Sequence, residues 1–246
     1  IFCQDSKLGD IKLHKITRKN ATDFYNFRRD SKVRKDNKLA NKTLLNIKRS
    51  LVAVYNKAIS NGYISHELLN PFKHYAIKND KLRERTATVK EEERLYSNAQ
   101  EWAVPVFITA FNTGLRVDNL LRLKWTDVRW ESKSFYVLHA KINRYGYIPW
   151  NTNMQKLIPI LQRMSGHNEY LFLNKFGRPY HKEGIKNSAK NAFATTFETT
   201  RIKAEMTDFT FHDMRRTTKT RLASKGVSRD HSDYLLGHNY EGARKY

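Results

Sequence analysis

The sequence has 246 residues, a length that suits one large domain or two ordinary ones. Its formal net charge of +22 favours a polyanionic partner, because each lysine or arginine that meets a phosphate releases condensed counterions. The single cysteine, Cys3, excludes an internal disulfide and a zinc framework, and no apolar run approaches the ~18 residues of a membrane span.

The first 75 or so residues are predicted to be helical. Apolar residues recur at helical intervals after Thr17, and a wider apolar stripe runs from Leu44 to Ala58, with Gly62 as its C-terminal stop. The proline of Asn70-Pro71-Phe72 predicts the end of another short helix, since the residue before proline resists helical angles.

A polar, charged stretch near residues 79–88 predicts a linker between two domains. Both parts of the chain are basic: residues 1–85 hold 20 basic and 8 acidic side chains, and residues 86–246 hold 26 and 16. A basic tail would concentrate the charge at one end, so this distribution indicates that both parts face the same nucleic acid.

The remainder of the chain predicts helices with one small antiparallel sheet. Helices are expected in VKEEERLYSNA, in VPVFITAFNTG up to Gly114, over 184–200, and in two segments closed by Gly226 and Gly237. The segments SFYVLHA and YGYIPWN alternate like two strands around a turn, and YLFL at 170–173 is predicted to be a short buried strand or extended segment.

Several basic residues of this second part could bind an anion. Arg116 follows a Gly-Leu turn between two helices, where its planar guanidinium can bind a phosphate from a rigid base. His212 and Arg215 are three residues apart on a predicted helix and so share one face, whereas Arg216 points elsewhere. Lys141 precedes the hairpin turn and could reach over a groove. Taken singly, each also fits an ordinary solvated basic residue.

The last twelve residues add a histidine and a terminal tyrosine. His238 lies just past the turn at Gly237, and Tyr246 ends the sequence. A tyrosine hydroxyl, with an ordinary pKa of about 10, becomes a nucleophile when a cationic pocket stabilises the phenolate and the charge that develops on phosphorus. A terminal tyrosine that only packs, or that is disordered, is the alternative.

These motifs in this order resemble the tyrosine recombinase, or phage integrase, family. The matching pieces are TGLR, the AK before a hairpin turn followed by IP, HDMRR, LLGH and the downstream tyrosine, and the helical first part resembles the core-binding domain of such integrases. The resemblance implies a mainly α fold with a small antiparallel sheet: a SAM-like core-binding domain over 1–82, a linker over 83–88 and a catalytic domain over 89–246.

The resemblance also implies a role for each candidate residue. Arg116 and Arg215 would clamp the scissile phosphate, Lys141 would protonate the departing 5′ oxygen, His212 would assist proton transfer and His238 would hydrogen-bond the phosphate. The nucleophile would be Tyr246, which forms a 3′-phosphotyrosine. The family uses no metal and no cofactor, because the covalent link conserves the bond energy.

Further expectations follow from the family. Two lobes would clamp double-stranded DNA, four protomers would exchange strands through a Holliday junction, and accessory DNA-bending proteins could take part. We expect the recombination reaction to take place in the cytoplasm of a bacterial host. A further C-terminal segment and an extra N-terminal domain, usual in such integrases, are expected to be missing from this sequence.

Two departures from the family pattern leave alternatives open. Asn119, beside Asp118, stands where an acidic residue is common, and the interval from His238 to Tyr246 is one residue shorter than is common. Tyr240 is too close to His238 to replace Tyr246. The shortened interval favours a non-catalytic architectural DNA-binding protein as the alternative function. A type IB topoisomerase shares the site chemistry but not the first domain, and no stacking motif indicates an RNA-binding module.

Overall fold

The computed structural model describes residues 8–30, 32–34, 37–78, 84–139, 143–181 and 188–237, which form two compact units. The first unit is Ile1–Arg83 and the second is Glu84–Tyr246. Among the described residues, no helix is long and apolar enough to cross a membrane.

The first unit is built on the two long helices that the sequence predicts. A two-stranded antiparallel hairpin that we did not predict lies between them. The elements are α1 (Arg18–Asp30), β1 (Lys32–Arg34), β2 (Asn37–Lys38) and α2 (Asn41–Ser60). Gly62 follows α2 with φ of 75°, which confirms it as the stop.

Aromatic side chains fill the core of the first unit. Tyr25 lies edge-on to Phe24 and to Phe72, and its hydroxyl donates a hydrogen bond to the Phe72 carbonyl at 3.3 Å. The prediction of a short helix that ends at Asn70–Phe72 is wrong. A 3₁₀ turn instead begins there at Pro71, because the Asn70 side chain accepts the backbone N–H of Phe72 at 3.0 Å.

The core of the second unit surrounds one apolar helix. The helices of this unit are α3 (Val89–Ser97), α4 (Val104–Thr113), α5 (Val117–Leu121), α6 (Thr152–Ser165), α7 (Ser188–Lys203), α8 (Phe211–Ser224) and α9 (Arg229–Leu235), and α4 is the apolar one. Most of α4 is buried, and Gly114 ends it with φ of 63°. The hydroxyl of Thr218 on α8 donates to the Phe111 carbonyl at 2.9 Å, so α4 and α8 pack closely.

The predicted small sheet is present with one additional strand. It is antiparallel in the order β3 (Val128–Arg129), β4 (Ser134–His139) and β5 (Arg144–Pro149). The register pairs Ser134 with Pro149 and His139 with Arg144. Both predicted strands are therefore confirmed, whereas β3 and the helix α6 were not predicted.

The helices near the C-terminal end begin at defined caps. The hydroxyl of Thr210 and the carboxylate of Asp213 form a capping box that starts α8. Gly226 and Gly237 follow α8 and α9 with positive φ, as the sequence predicts. Helix α7 begins at Ser188; the earlier start that we predicted, at 184, falls outside the described residues.

Candidate active site

A cavity of about 370 Å³ lies where the start of α5, the start of α7 and the start of α8 meet. It is lined by Leu115, Arg116, Val117, Asp118, Lys190, Thr210, Phe211, His212 and Arg215. Three predicted site residues, Arg116, His212 and Arg215, therefore share one cavity although they come from two distant segments.

Arg215 is held from two directions by backbone carbonyl groups. It is only 4% exposed. Its Nη1 donates to the carbonyl of Gly114 at 2.9 Å, and its Nη2 donates to the carbonyl of Leu236. Because Nη1 and Nη2 are both held by carbonyl groups, the orientation of the guanidinium is fixed. Its remaining N–H groups therefore stay in place to bind a further acceptor.

Arg116 occupies the turn that the sequence predicts, as the N-cap residue of α5. Its Nη2 donates to the Gly237 carbonyl at 3.5 Å, a long hydrogen bond. Its Nη1 is buried, and no described residue accepts a hydrogen bond from it. A buried cationic donor without a partner is costly, and an anion in the cavity would satisfy it.

The two guanidinium groups are close enough for the charge of Arg116 to affect the pKa of Arg215. Burial, together with the positive charge of Arg116, lowers the pKa of Arg215 to about 10. Burial also lowers the pKa of Arg116. Both groups stay protonated near neutral pH, so the cavity holds excess positive charge that favours an anion.

His212 lies at the rim of the cavity, in the first turn of α8. Partial burial lowers its pKa below the ordinary 6.5, and the charges of Arg216 and Arg215 lower it further. The imidazole is therefore largely neutral at pH 7, the state in which one ring nitrogen can accept a proton.

The capping box at the start of α8 orients both His212 and Arg215. The buried carboxylate of Asp213 accepts the Thr210 backbone N–H at 2.8 Å and the Thr210 hydroxyl at 2.7 Å. It also accepts Nη1 of Arg216 at 2.8 Å. Arg216 thus binds within α8 and does not line the cavity, as predicted.

Lys141, His238 and Tyr246 lie outside the described residues. The chain is described up to His139 on one side of Lys141 and up to Gly237 before His238. The carbonyls of Leu236 and Gly237 accept hydrogen bonds from Arg215 and Arg116, so the chain contacts both guanidiniums just before position 238.

Two charged residues of the cavity are not among the predicted catalytic residues, and Asp118 enters the sequence prediction only as the acidic neighbour of Asn119. Lys190 reaches the cavity from α7, and nothing in its local sequence distinguishes it from other surface lysines. Asp118 also lines it and pairs with Arg122 at 2.9 Å. Its neighbour Asn119 instead donates to the carbonyl of Leu138 at 3.2 Å, so the amide connects α5 to the sheet.

Two family profiles match the sequence over nearly its whole length. The phage integrase SAM-like domain matches residues 2–77, and the phage integrase family matches residues 85–244. The chain belongs to the phage integrase family. It is therefore a tyrosine recombinase, an enzyme that breaks and rejoins DNA strands at specific sites. This confirms the family predicted from the five motifs.

Solved structures of integrases share the fold. The Tn1549 transposon integrase, in complex with circular intermediate DNA, is 21% identical with a TM-score of 0.75, over 98% of this chain and 83% of that one. A lambda integrase dimer bound to a COC′ core site is 19% identical with a TM-score of 0.71, over 96% and 85%. A lambda integrase tetramer bound to a Holliday junction is 18% identical, also with a TM-score of 0.71, over 96% and 69%.

No curated protein matches the sequence significantly. Within the described ranges, no group of three or more His, Cys, Asp or Glu side chains is arranged to hold a metal ion.

Proposed function

We propose that this integrase cleaves DNA with Arg116, Lys141, His212, Arg215, His238 and Tyr246 as its catalytic residues. The observation that carries the proposal is the cavity in which the buried guanidinium of Arg215 and the half-buried guanidinium of Arg116 concentrate positive charge; no described residue accepts a hydrogen bond from Nη1 of Arg116. A phosphodiester has the negative charge and the pair of non-bridging oxygen atoms that such groups bind.

In the proposed step, the phenolic oxygen of Tyr246 attacks phosphorus and the bond to the 5′ oxygen breaks. Arg116 and Arg215 stabilise the charge that develops on the phosphoryl oxygens, and His238 donates a hydrogen bond to them. His212 assists removal of the phenolic proton, and Lys141 protonates the departing oxygen. The products are a 3′-phosphotyrosine and a free 5′-hydroxyl, and reversal of the step rejoins the strand.

The partner that we propose is double-stranded DNA, bound by both units. The basic excess in both parts of the chain supports this, as do integrases of the same fold solved on DNA. A homotetramer acting through a Holliday junction is our proposal by analogy with the lambda integrase tetramer. We also propose accessory DNA-bending proteins as partners, an expectation that comes from the family resemblance alone.

We also propose the division predicted from the sequence: a core-binding domain over 1–82, a linker over 83–88 and a catalytic domain from 89. The single cysteine is in keeping with a reducing compartment, and we place the reaction in a bacterial cytoplasm.

A covalent trapping experiment tests the proposed function. The protein is incubated with a pool of duplexes that are randomised in sequence and nicked so that the cleaved fragment diffuses away. A denaturing gel then separates covalent protein–DNA adducts, and sequencing the trapped DNA gives the site. We expect an adduct that disappears in Tyr246→Phe and persists in the matched control Tyr240→Phe.

Two other outcomes would contradict the proposal. DNA binding without an adduct from any sequence would favour a non-catalytic architectural protein, the function that the short His238–Tyr246 interval supports. Relaxation of supercoiled DNA without strand transfer to a second duplex would favour a type IB topoisomerase.

A further inference from the structure

His139 is a buried histidine outside the proposed catalytic set. It is the last residue of β4 and is only 1% exposed. Histidine is seldom fully buried without a specific role in packing or hydrogen bonding. Its position matters because the chain passes from it to Lys141 within two residues.

The imidazole ring of His139 lies between two glycines that belong to different elements. A methyl group on Gly237, after α9, would overlap the Nδ1 and Cγ atoms of the ring and would lie 2.9 Å from its Cβ. A methyl group on Gly146, in β5, would lie 3.0 Å from Nε2. The ring thus occupies the space between the hairpin and the segment that follows α9.

A second contact joins the same two elements. Arg144 is the residue paired with His139 across the β4–β5 ladder. Its guanidinium lies over the ring of Tyr234 in α9, 4.8 Å from the ring centroid, a cation–π contact. The turn end of the hairpin therefore contacts α9 and the residue that follows it through both of its strands.

The segment against which His139 packs also supports the two arginines of the cavity. The Leu236 carbonyl accepts a hydrogen bond from Arg215, and the Gly237 carbonyl accepts one from Arg116. A displacement of residues 236–237 would move these acceptors, and with them both guanidiniums. The next residue along the chain is His238.

We propose that His139 is a positioning residue for strand cleavage. Its ring sets the distance between the hairpin that carries Lys141 and the segment that leads to His238, and keeps the acceptors of Arg116 and Arg215 in place. This inference rests on the proposed function, because it assigns His139 to the same cleavage step. The ring contacts neither DNA nor the reacting atoms in this assignment.

Single-turnover cleavage of the trapped site tests the role of His139. His139→Ala is compared with Ile148→Ala, a buried position in β5 of the same sheet. Thermal unfolding and DNA affinity are measured for both. We expect His139→Ala to lower the cleavage rate about 10²-fold with little change in DNA affinity, because a displacement of about 1 Å at an active site has that effect.

A double-mutant cycle between His139 and Gly237 gives a sharper readout. Gly237→Ala should be severe in the wild type, because the new methyl group overlaps the ring and the backbone has a φ of 59°. With Ala at 139 the overlap with the ring is gone, and only the 2.9 Å approach to the residue 139 Cβ and the backbone strain remain. We therefore expect the fold-reduction in cleavage rate caused by Gly237→Ala to be at least about tenfold smaller in the His139→Ala background than in the wild type. A coupling of this size is typical of residues in contact.

Gly146→Ala is a milder variant for use should His139→Ala not fold. It presses on the opposite edge of the ring from a strand position whose backbone accepts alanine, and we expect a several-fold lower cleavage rate with an unchanged melting temperature. Equal cleavage rates for His139→Ala and Ile148→Ala, or additive effects in the double-mutant cycle, would overturn this inference but leave the proposed function intact. An adduct that persists in Tyr246→Phe would overturn the proposed function, and this inference with it.

Discussion

The two units use positive charge in different ways. In the first unit, lysines and arginines such as Lys42 and Arg49 are exposed side chains on the outer face of α2. In the second unit, Arg215 is buried and fixed by two carbonyl groups. Exposed charges attract a polyanion at long range whatever their rotamer, whereas a buried, fixed guanidinium acts only on an atom at one place.

This difference predicts a separation of functions. Substitutions in the first unit should weaken DNA binding and its salt dependence but leave cleavage of bound DNA intact. Substitutions in the cavity should leave most of the affinity and remove the chemistry. Four predictions follow from the comparison of the two units, in order from the largest expected effect; the first and the last test that separation directly.

The largest effect is expected from Arg215→Lys. Lysine keeps the charge but cannot bridge the carbonyls of Gly114 and Leu236 while also presenting a planar pair of donors. We expect the single-turnover cleavage rate to fall about 10³-fold, with DNA affinity lower by less than about tenfold. Filter binding and adduct formation measure the two quantities separately, and a parallel fall in both would contradict the separation.

Gly114→Ala should destabilise the second unit more than Gly62→Ala destabilises the first unit. An added methyl group would lie 2.5 Å from Cδ2 of Leu236, and φ is 63°, so we expect a loss of about 3 kcal/mol in the free energy of unfolding. Gly62→Ala, after α2, has φ of 75° and open space, so it should lose only about 1–2 kcal/mol. Denaturant unfolding measures both losses of free energy. Equal losses would show that the Leu236 side chain moves aside at little cost.

The cleavage rate should depend on pH through His212. Because its pKa is lowered, the neutral imidazole persists below pH 6.5, so the rate should stay level down to that pH and fall only on further acidification. The folded state also binds this proton less readily than the unfolded chain, so stability is lost as pH falls from 6.5 through the folded pKa.

His212→Gln is the control for that pH profile. It should lower the rate about 10²-fold and remove the acid limb of the profile. An acid limb that survives in His212→Gln would assign the titration to another group.

The smallest effect is expected from the exposed face of α2. Lys42 and Arg49 are seven residues apart and so lie on one side of the helix. If each meets a phosphate, Lys42→Ala with Arg49→Ala lowers the slope of log affinity against log salt by about 1.8. The cleavage rate at saturating protein should not change; a fall in it would contradict the separation between the units.

The sequence predicted much of the site from local patterns. The Gly-Leu turn placed Arg116 at the start of a helix, and a three-residue interval placed His212 and Arg215 on one face. The helix α6 was missed although Asn151 caps it, because Pro159 interrupts the pattern that indicates a helix. Lys190 and His139 could not be found, since their roles depend on contacts with distant segments.

The sequence by itself determined the charge, the order of the five motifs, most of the helices and the family to which they point. These depend on periodicity and capping over a few residues, where neighbours in sequence are neighbours in space. Only the tertiary structure decided that Arg215 binds carbonyls 101 and 21 residues away and that His139 packs under Gly237. Such contacts follow from the close packing of α4, α8, α9 and the sheet, which no local pattern specifies.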